Sequence, residues 1–124
     1  MREPESASLQ ADFRCPMRVY WENTDAGGVV YYANYLKYLE RARTEWLRPL
    51  GVEQGALGRE AGVAFVVRRL AVDFLRPARL DDVLHVDIRA VQLGAAVVEM
   101  RQGIWRGEER LLQADVQSAC VKLG

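Results

Sequence analysis

Histidine, cysteine and serine are scarce in this chain of 124 residues, and their scarcity excludes several kinds of active site. The chain has one histidine, His85, and two cysteines, from which no zinc site of the usual ligand spacing can be assembled. A single histidine also argues against a Ser-His-Asp triad. No Gly-x-Ser-x-Gly elbow, Walker loop or dinucleotide fingerprint occurs in the sequence. We therefore expect neither a metal nor a cofactor.

Net charge and long apolar runs are also missing. Seventeen Lys and Arg residues balance seventeen Asp and Glu residues, so the chain lacks the basic surface that nucleic-acid binding requires. No apolar run is long enough for a membrane span or a signal peptide, so we expect a cytoplasmic protein with reduced thiols. The length predicts one domain over residues 13–124, preceded by a flexible segment, residues 1–12.

The first elements predicted from the sequence are a strand and a helix. In residues 13–21 apolar and polar residues alternate, a period of two that is typical of a half-buried strand. Residues 23–28 (NTDAGG) predict a turn or loop. In residues 35–50 apolar residues recur at steps of three and four, which predicts an amphipathic helix, and Pro49 and Gly51 mark its end.

Four further strands are predicted after this helix, with a short helical turn possible in residues 52–62. Their apolar sets are Val66, Leu70, Val72 and Phe74, with a break at Arg68; Leu84, Val86, Ile88 and Ala90; Ala96, Val98, Met100 and Ile104, with a break at Gln102; and Leu112, Ala114, Val116, Ser118 and Cys120. The connections are short enough for antiparallel pairing. One helix against one antiparallel sheet leaves edge strands uncovered, so we predict a homodimer or homotetramer.

The loop before the helix is the strongest candidate for chemistry. It holds a carboxylate, Asp25, and two glycines, which allow a substrate to approach the backbone closely. The first N–H groups of a helix have no internal partners and can bind an oxyanion. A carboxylate beside such a site suits hydrolysis of an activated acyl group. A purely structural role for Asp25 in an Asx turn is the alternative.

A longer motif surrounds this loop. Residues 18–35 (RVYWENTDAGGVVYYANY), followed by residues 40–45 (ERARTE), resemble the hot-dog-fold acyl-CoA thioesterases, in particular the bacterial type encoded beside the Tol-Pal genes. Residues 64–69 (AFVVRR) and 77–82 (PARLDD) resemble the same type. A more distant similarity links the chain to 4-hydroxybenzoyl-CoA thioesterase. The resemblance implies an α+β hot-dog fold, in which a curved five-stranded antiparallel sheet wraps around one long helix.

The resemblance also implies a reaction and its residues. Asp25 is implied to act as general base or as nucleophile, with backbone amides near Tyr32 polarising the thioester carbonyl at an active site in a dimer interface. We expect Gly28, Tyr31 and Phe65 to contact the substrate, an acyl-CoA or an acyl group carried by acyl carrier protein. No cofactor is implied.

This chain departs from the resembled type at several positions. Close relatives often carry His where it has Tyr32 and Tyr where it has Trp21, whereas the 4-hydroxybenzoyl enzyme has Tyr at the position of Tyr32. Leu93 stands where relatives often have a basic residue, so Arg68, Arg69 or Arg89 would have to meet the CoA phosphates. Glu40 matches an acidic position of the family and could bind a polar acyl group or pair with Arg43.

Two other functions remain open at this point. Dehydration or hydration of acyl thioesters in similar folds usually relies on a histidine together with an acid, and His85 is not placed for that role. A non-catalytic acyl-binding or scaffold protein would tolerate the changes at Trp21 and Tyr32. The apolar character of Phe65 favours aliphatic or unsubstituted aryl acyl groups over hydroxylated ones.

Overall fold

One helix lies on one face of a five-stranded sheet. The computed structural model describes residues 12–48, 62–94 and 96–122. The elements are β1 (Phe13–Arg18), a 3-10 turn (Trp21–Asn23), α1 (Tyr32–Leu47), β2 (Val63–Phe74), β3 (Val83–Leu93), β4 (Val97–Arg106) and β5 (Glu109–Lys122). The strand order is β1-β3-β4-β5-β2, and every pair is antiparallel. This confirms the predicted α+β hot-dog fold.

Two segments with predicted local structure lie almost wholly outside the described residues. The flexible segment predicted for residues 1–12 lies outside the described residues except at Asp12, and so does nearly all of the helical turn suggested for residues 52–62. Asp12 is tied to β3, since its carboxylate accepts a hydrogen bond from the Ala90 amide at 2.7 Å. Within the described part of the chain, no helix is long and apolar enough to cross a membrane.

The core lies between α1 and the sheet face that it covers. The helix buries Tyr35, Tyr38, Leu39 and Ala42, three and four residues apart as predicted. On the sheet side the alternating residues are buried too, among them Leu84, Val86, Ile88, Ile104, Leu112, Ala114 and Val116. Burying one such aliphatic side chain contributes about 1.5–3 kcal/mol, so the residues of this face together stabilise the fold strongly.

The alternation predicted for β2 is wrong at its first residue. Val66 was expected to share a face with Leu70, but a β-bulge between Val67 and Arg69 leaves Arg68 as an extra residue. The bulge reverses the alternation: Val67 lies opposite Ser118, and Leu70 lies opposite Val116, both on the helix side. Phe65, two positions before Val67, therefore also faces the helix side.

The first strand is shorter than predicted, because it ends at Arg18 instead of Trp21. The amide of Tyr20 donates to the side chain of Asn23, and the hydroxyl of Thr24 donates to the carbonyl of Trp21. These local bonds close a 3-10 turn, in which the Trp21 side chain is 66% exposed.

A polar cluster occupies the sheet face away from the helix. His85 stacks on Trp105 with ring centroids 6.1 Å apart, and the Arg14 guanidinium lies 2.9 Å from Nε2 of His85. Since arginine can only donate, Nε2 is the acceptor and the imidazole is neutral. Asp87, at 8% exposure, accepts bonds from the amide of Gly103 and from the Trp105 indole. His85 thus contributes to the packing and hydrogen bonding of this sheet face.

The His85 environment predicts a pH-dependent stability. Burial, and then the Arg14 charge, lower the pKa of His85 from 6.5 to about 4. Between these values the unfolded chain binds a proton that the folded chain does not, so stability falls as the pH drops. Because the ring is partly exposed, we expect a loss on the order of 1 kcal/mol.

Urea unfolding of the wild type and of His85→Gln, near neutral pH and near pH 4, measures this loss. The carboxylates titrate in both proteins, so their contribution cancels in the comparison. We expect the free energy of unfolding to fall less in His85→Gln. Equal losses in the two proteins would contradict the expectation.

Candidate active site

The Asp25 loop, residues 24–30, is closed by its own aspartate. The Oδ1 oxygen of Asp25 accepts hydrogen bonds from the amides of Gly27 at 2.9 Å and Val29 at 3.3 Å. The Asp25 amide donates to the carbonyl of Val29 at 2.9 Å. These bonds form an Asx-type turn, the structural role predicted as the alternative for Asp25. Both side-chain bonds use Oδ1, so the loop does not require Oδ2, and the residue is exposed to solvent.

Gly28 gives this loop a conformation that other residues rarely adopt. Its φ of +77° lies in the left-handed region, where a side chain would strain the backbone. A Cβ added at Gly28 would meet nothing within 4 Å, so space is open on this side of the loop. The Gly28 amide donates to the backbone carbonyl of Asp25, and the Gly28 carbonyl accepts a bond from the Leu80 amide.

The helix begins directly after the loop without a side-chain cap. Tyr31 is the N-cap residue, and within the described chain no side-chain hydrogen bond caps this helix end. The first helical residues, Tyr32 and Ala33, have amides without an acceptor inside the helix. The amide of Asn34 already donates to the Tyr31 carbonyl. The positive end of the helix dipole is therefore directed to the same side of the molecule as the Asp25 loop.

Two exposed tyrosines flank the start of the helix. The rings of Tyr31 and Tyr32 are 50% and 62% exposed, with centroids 4.9 Å apart. The hydrogen bond with the Tyr32 side chain raises the pKa of Tyr31, so the Tyr31 phenol is neutral at physiological pH. Tyr32 also makes an edge contact with Phe74, at 6.4 Å between centroids, which brings the C-terminal end of β2 next to the helix start.

The second motif, the 77–82 segment, packs against the first. The amide of Val30 donates to the carbonyl of Ala78, and the amide of Leu80 donates to the carbonyl of Gly28, each at 2.9 Å. The buried hydroxyl of Tyr35 accepts a bond from the Ala78 amide, also at 2.9 Å. Residues 77–82 carry no local signal beyond their resemblance to known thioesterases, so neither this contact nor the role of Tyr35 was predictable from sequence spacing.

A cavity of about 430 Å³ lies further along the helix. It opens between the C-terminal half of α1 and strands β2, β4 and β5, and we call it the helix cavity. Its lining residues are Glu40, Arg43, Trp46, Leu47, Phe65, Val66, Val67, Val98, Met100 and Ser118. Of Gly28, Tyr31 and Phe65, only Phe65 lines this cavity, together with Glu40, which was suggested as a partner for a polar acyl group. Its size is that of a small-ligand pocket.

The polar side chains of the helix cavity do not form the predicted Glu40–Arg43 pair. Arg43 donates to the side-chain oxygen of Gln102 at 2.8 Å, and the Gln102 amide group donates to the carbonyl of Leu39 at 3.1 Å. Glu40 instead accepts a bond from the Thr44 hydroxyl. Burial lowers the pKa of Arg43, and the Glu40 charge partly opposes that shift. Gln102, which breaks the apolar pattern of β4, is therefore a buried tether between sheet and helix.

The arginines suggested for CoA phosphates do not gather around the helix cavity. Arg68 is the extra residue of the β2 bulge. Arg69 lies opposite Gln117, and Arg89 lies opposite Arg101. By strand alternation, Arg69 and Arg89 belong to the sheet face away from α1.

Comparisons with known proteins agree with this fold. Residues 27–113 match the model of the thioesterase superfamily, so the chain belongs to that superfamily. The chain is 47% identical over 116 residues to acyl-CoA thioesterase YbgC of Haemophilus influenzae, covering 94% of this chain and 85% of that protein. It is also 47% identical over 110 residues to acyl-CoA thioester hydrolase YbgC of Escherichia coli, covering 88% and 81%.

A solved structure supports the same assignment. The crystal structure of a probable thioesterase from Bartonella henselae superimposes with a TM-score of 0.83 at 37% identity. The match covers 89% of this chain and 91% of that one. The hot-dog thioesterase resemblance is therefore confirmed.

Proposed function

We propose that this chain hydrolyses acyl-CoA thioesters to a free acid and CoA, with Asp25 as the catalytic carboxylate. The observation that carries the proposal is the joint placement of the Asp25 loop and the uncapped start of α1. Similar proteins from Haemophilus influenzae and Escherichia coli carry the names acyl-CoA thioesterase and acyl-CoA thioester hydrolase. A carboxylate oxygen and the two helix-start amides without an acceptor inside the helix are the groups that thioester hydrolysis needs.

Asp25 has two routes to the same products. As general base, it takes a proton from water while the water oxygen attacks the carbonyl carbon, and the C–S bond then breaks to release the thiol. As nucleophile, its free oxygen attacks the carbonyl and expels the thiolate, and water then hydrolyses the mixed anhydride. Both routes use Oδ2, because Oδ1 is held by Gly27 and Val29.

The developing oxyanion is stabilised by the helix start. We assign this role to the backbone amides around Tyr32, whose N–H groups have no acceptor inside the helix. Loss of one such donor typically costs on the order of 3 kcal/mol of transition-state stabilisation. The Tyr32 ring stands where close relatives often carry His, and we assign this exposed ring a role in orienting the substrate.

The active enzyme is proposed to be a homodimer or a tetramer built from such dimers. β2, a strand of twelve residues, is the last strand in the sheet order, and within the described residues no strand pairs with its outer edge. Val66, Val67, Leu70 and Phe74, all on this strand, are exposed apolar side chains. A long apolar edge strand of this kind is a template for pairing with a second copy.

Antiparallel pairing of two β2 strands would complete the active site. The C-terminal end of β2, at Phe74, contacts Tyr32 near the Asp25 loop, whereas its N-terminal end, at Phe65, lines the helix cavity. A twofold axis between the strands places each C-terminal end beside the partner's N-terminal end. The carboxylate of one protomer would then face the cavity of the other, which brings all five predicted site residues together.

The acyl group is proposed to occupy the helix cavity. Most of the lining is apolar, including Phe65, Trp46 and Met100, which favours aliphatic or unsubstituted aryl groups. Glu40 is the acidic side chain that could bind a hydroxyl group of a polar acyl chain. Acyl groups carried by acyl carrier protein are a further candidate substrate. The cytoplasmic location and the Tol-Pal association stay predictions.

Thiol release from a series of acyl-CoA substrates tests the proposed function. We expect release with apolar acyl groups of increasing length, with the specificity constant rising until the chain fills the cavity of about 430 Å³ and falling beyond it. Addition of water across a double bond without thiol release would indicate a hydratase. Binding without either reaction would indicate the non-catalytic alternative, an acyl-binding or scaffold protein, and would reject the proposal.

A further inference from the structure

A second carboxylate, Asp82, braces the backbone beside the Asp25 loop. Oδ2 of Asp82 accepts a hydrogen bond from the amide of Arg79 at 2.9 Å and another from Nη1 of Arg106 at 2.7 Å. The side chains of Asp82 and Arg106 are only 22% and 32% exposed. A charge-assisted bond shielded in this way is stronger than a solvated surface pair.

Arg106 holds the 77–82 segment at both ends. Besides Asp82, its guanidinium donates to the carbonyl of Pro77 at 3.3 Å and to the carboxylate of Glu109. Hydrogen bonds to Glu109 and Asp82 raise the pKa of Arg106, so its charge is permanent. Since Arg106 lies on β4, these bonds anchor the segment to the rigid sheet.

Residues 77–82, which Asp82 and Arg106 hold in place, contact the Asp25 loop through one backbone bridge. Arg79, whose amide Asp82 holds, is bridged to Val29 in an antiparallel pair. Val29 in turn donates its amide to Oδ1 of Asp25. Only the Arg79–Val29 bridge therefore separates the Asp82 carboxylate from the bond that orients the Asp25 carboxylate.

We propose that Asp82, held by Arg106, is a positioning residue for Asp25. The catalytic part of this inference rests on the proposed function, whereas its structural part does not. Neither side chain needs to touch the substrate. Displacing a reacting group by about 1 Å can cost a factor of 100 in rate, so a brace that fixes the Val29 amide affects turnover more than substrate affinity.

Steady-state kinetics of Asp82→Ala, Arg106→Gln and the double variant test the catalytic part. We expect kcat to fall about 10- to 100-fold with KM nearly unchanged. The double variant should be no slower than Asp82→Ala alone, because the two residues act as one unit. Arg101→Gln is the matched control, since it breaks the exposed Arg101–Asp115 ion pair on the same β4–β5 hairpin and should leave kcat unchanged.

Amide hydrogen exchange tests the structural part without any substrate. We expect the amides of Gly27 and Val29 to exchange at least about tenfold faster in Arg106→Gln than in the wild type, but not in Arg101→Gln. Unchanged exchange at these amides would overturn the inference, as would a lower melting temperature with an unchanged kcat. A wild type without thioesterase activity would instead reject the proposed function and leave the exchange result to decide this one.

Discussion

Asp25→Asn is expected to abolish turnover while the protein stays folded. The asparagine side chain keeps an Oδ1 that can accept the bonds from Gly27 and Val29, so the loop is preserved. The substitution replaces the free oxygen by an NH₂ group, which is neither a base nor a nucleophile. Removing such a group typically costs a factor of 100 to 10,000 in rate, so we expect kcat to fall by about 1,000-fold or more.

Steady-state thiol release and thermal unfolding of the same preparation measure the two halves of this expectation. Asp115→Asn is the matched control, because Asp115 is an exposed β5 carboxylate on an ion pair away from the loop. Asp25→Ala distinguishes the structural role of Asp25 from its chemical role. This variant also loses the two hydrogen bonds to Oδ1, so it should lose about 1–2 kcal/mol of stability as well as turnover. Turnover of Asp25→Asn near the wild-type level would contradict the assignment.

The fold was predictable because its signals are local and periodic. The helix and the strands follow from repeats of three to four and of two residues, which depend on one buried face each. The strand predictions fail where a bulge or a tertiary contact interrupts the alternation of apolar and polar residues. Arg68 marks a bulge that reverses the alternation of β2, and Gln102 is buried because it bonds to Arg43 and to the helix backbone.

The site was predictable only in part. The Asx turn at Asp25 and the need for glycine at position 28 follow from short-range rules. The role of Asp82 does not follow from such rules. Asp82 lies 57 residues after Asp25, and its hydrogen bond to the Arg79 amide reaches the loop through the pairing of Arg79 with Val29. No spacing rule links such positions in one sequence. The resemblance of residues 77–82 to known thioesterases was the only signal that pointed to them.

Within one chain the predicted site residues are split between two places. Asp25, Gly28, Tyr31 and Tyr32 surround the helix start, whereas Phe65 lines the helix cavity near the other end of α1. The helix cavity begins at Glu40, eight residues and about 12 Å along the helix axis from Tyr32, so a thioester carbonyl bound at the helix start would lie outside the cavity of the same chain. The proposed dimer with paired β2 strands would resolve this conflict, because it would supply the cavity from the second copy.

Mixing two inactive variants should therefore restore activity. Asp25→Asn retains an open cavity but lacks the carboxylate, and Val98→Trp retains Asp25 but fills the cavity from β4, away from the β2 edge. In a mixed dimer one site combines the intact Asp25 with the open cavity, and the other combines both defects. Random mixing makes half of the dimers mixed, so we expect about one quarter of wild-type turnover.

Co-refolding the two variants, with each variant refolded alone as the control, measures this recovery in the thiol-release assay with the longest acyl group that the wild type accepts. Each variant alone should have less than about one tenth of wild-type activity, since Val98→Trp excludes the acyl chain by overpacking the cavity. Sedimentation of the mixture should give about twice the chain mass of 14.0 kDa, or four times that mass for a tetramer. If the carboxylate and the cavity of the same chain formed the site, the mixture would stay inactive, because no protomer would carry both intact parts.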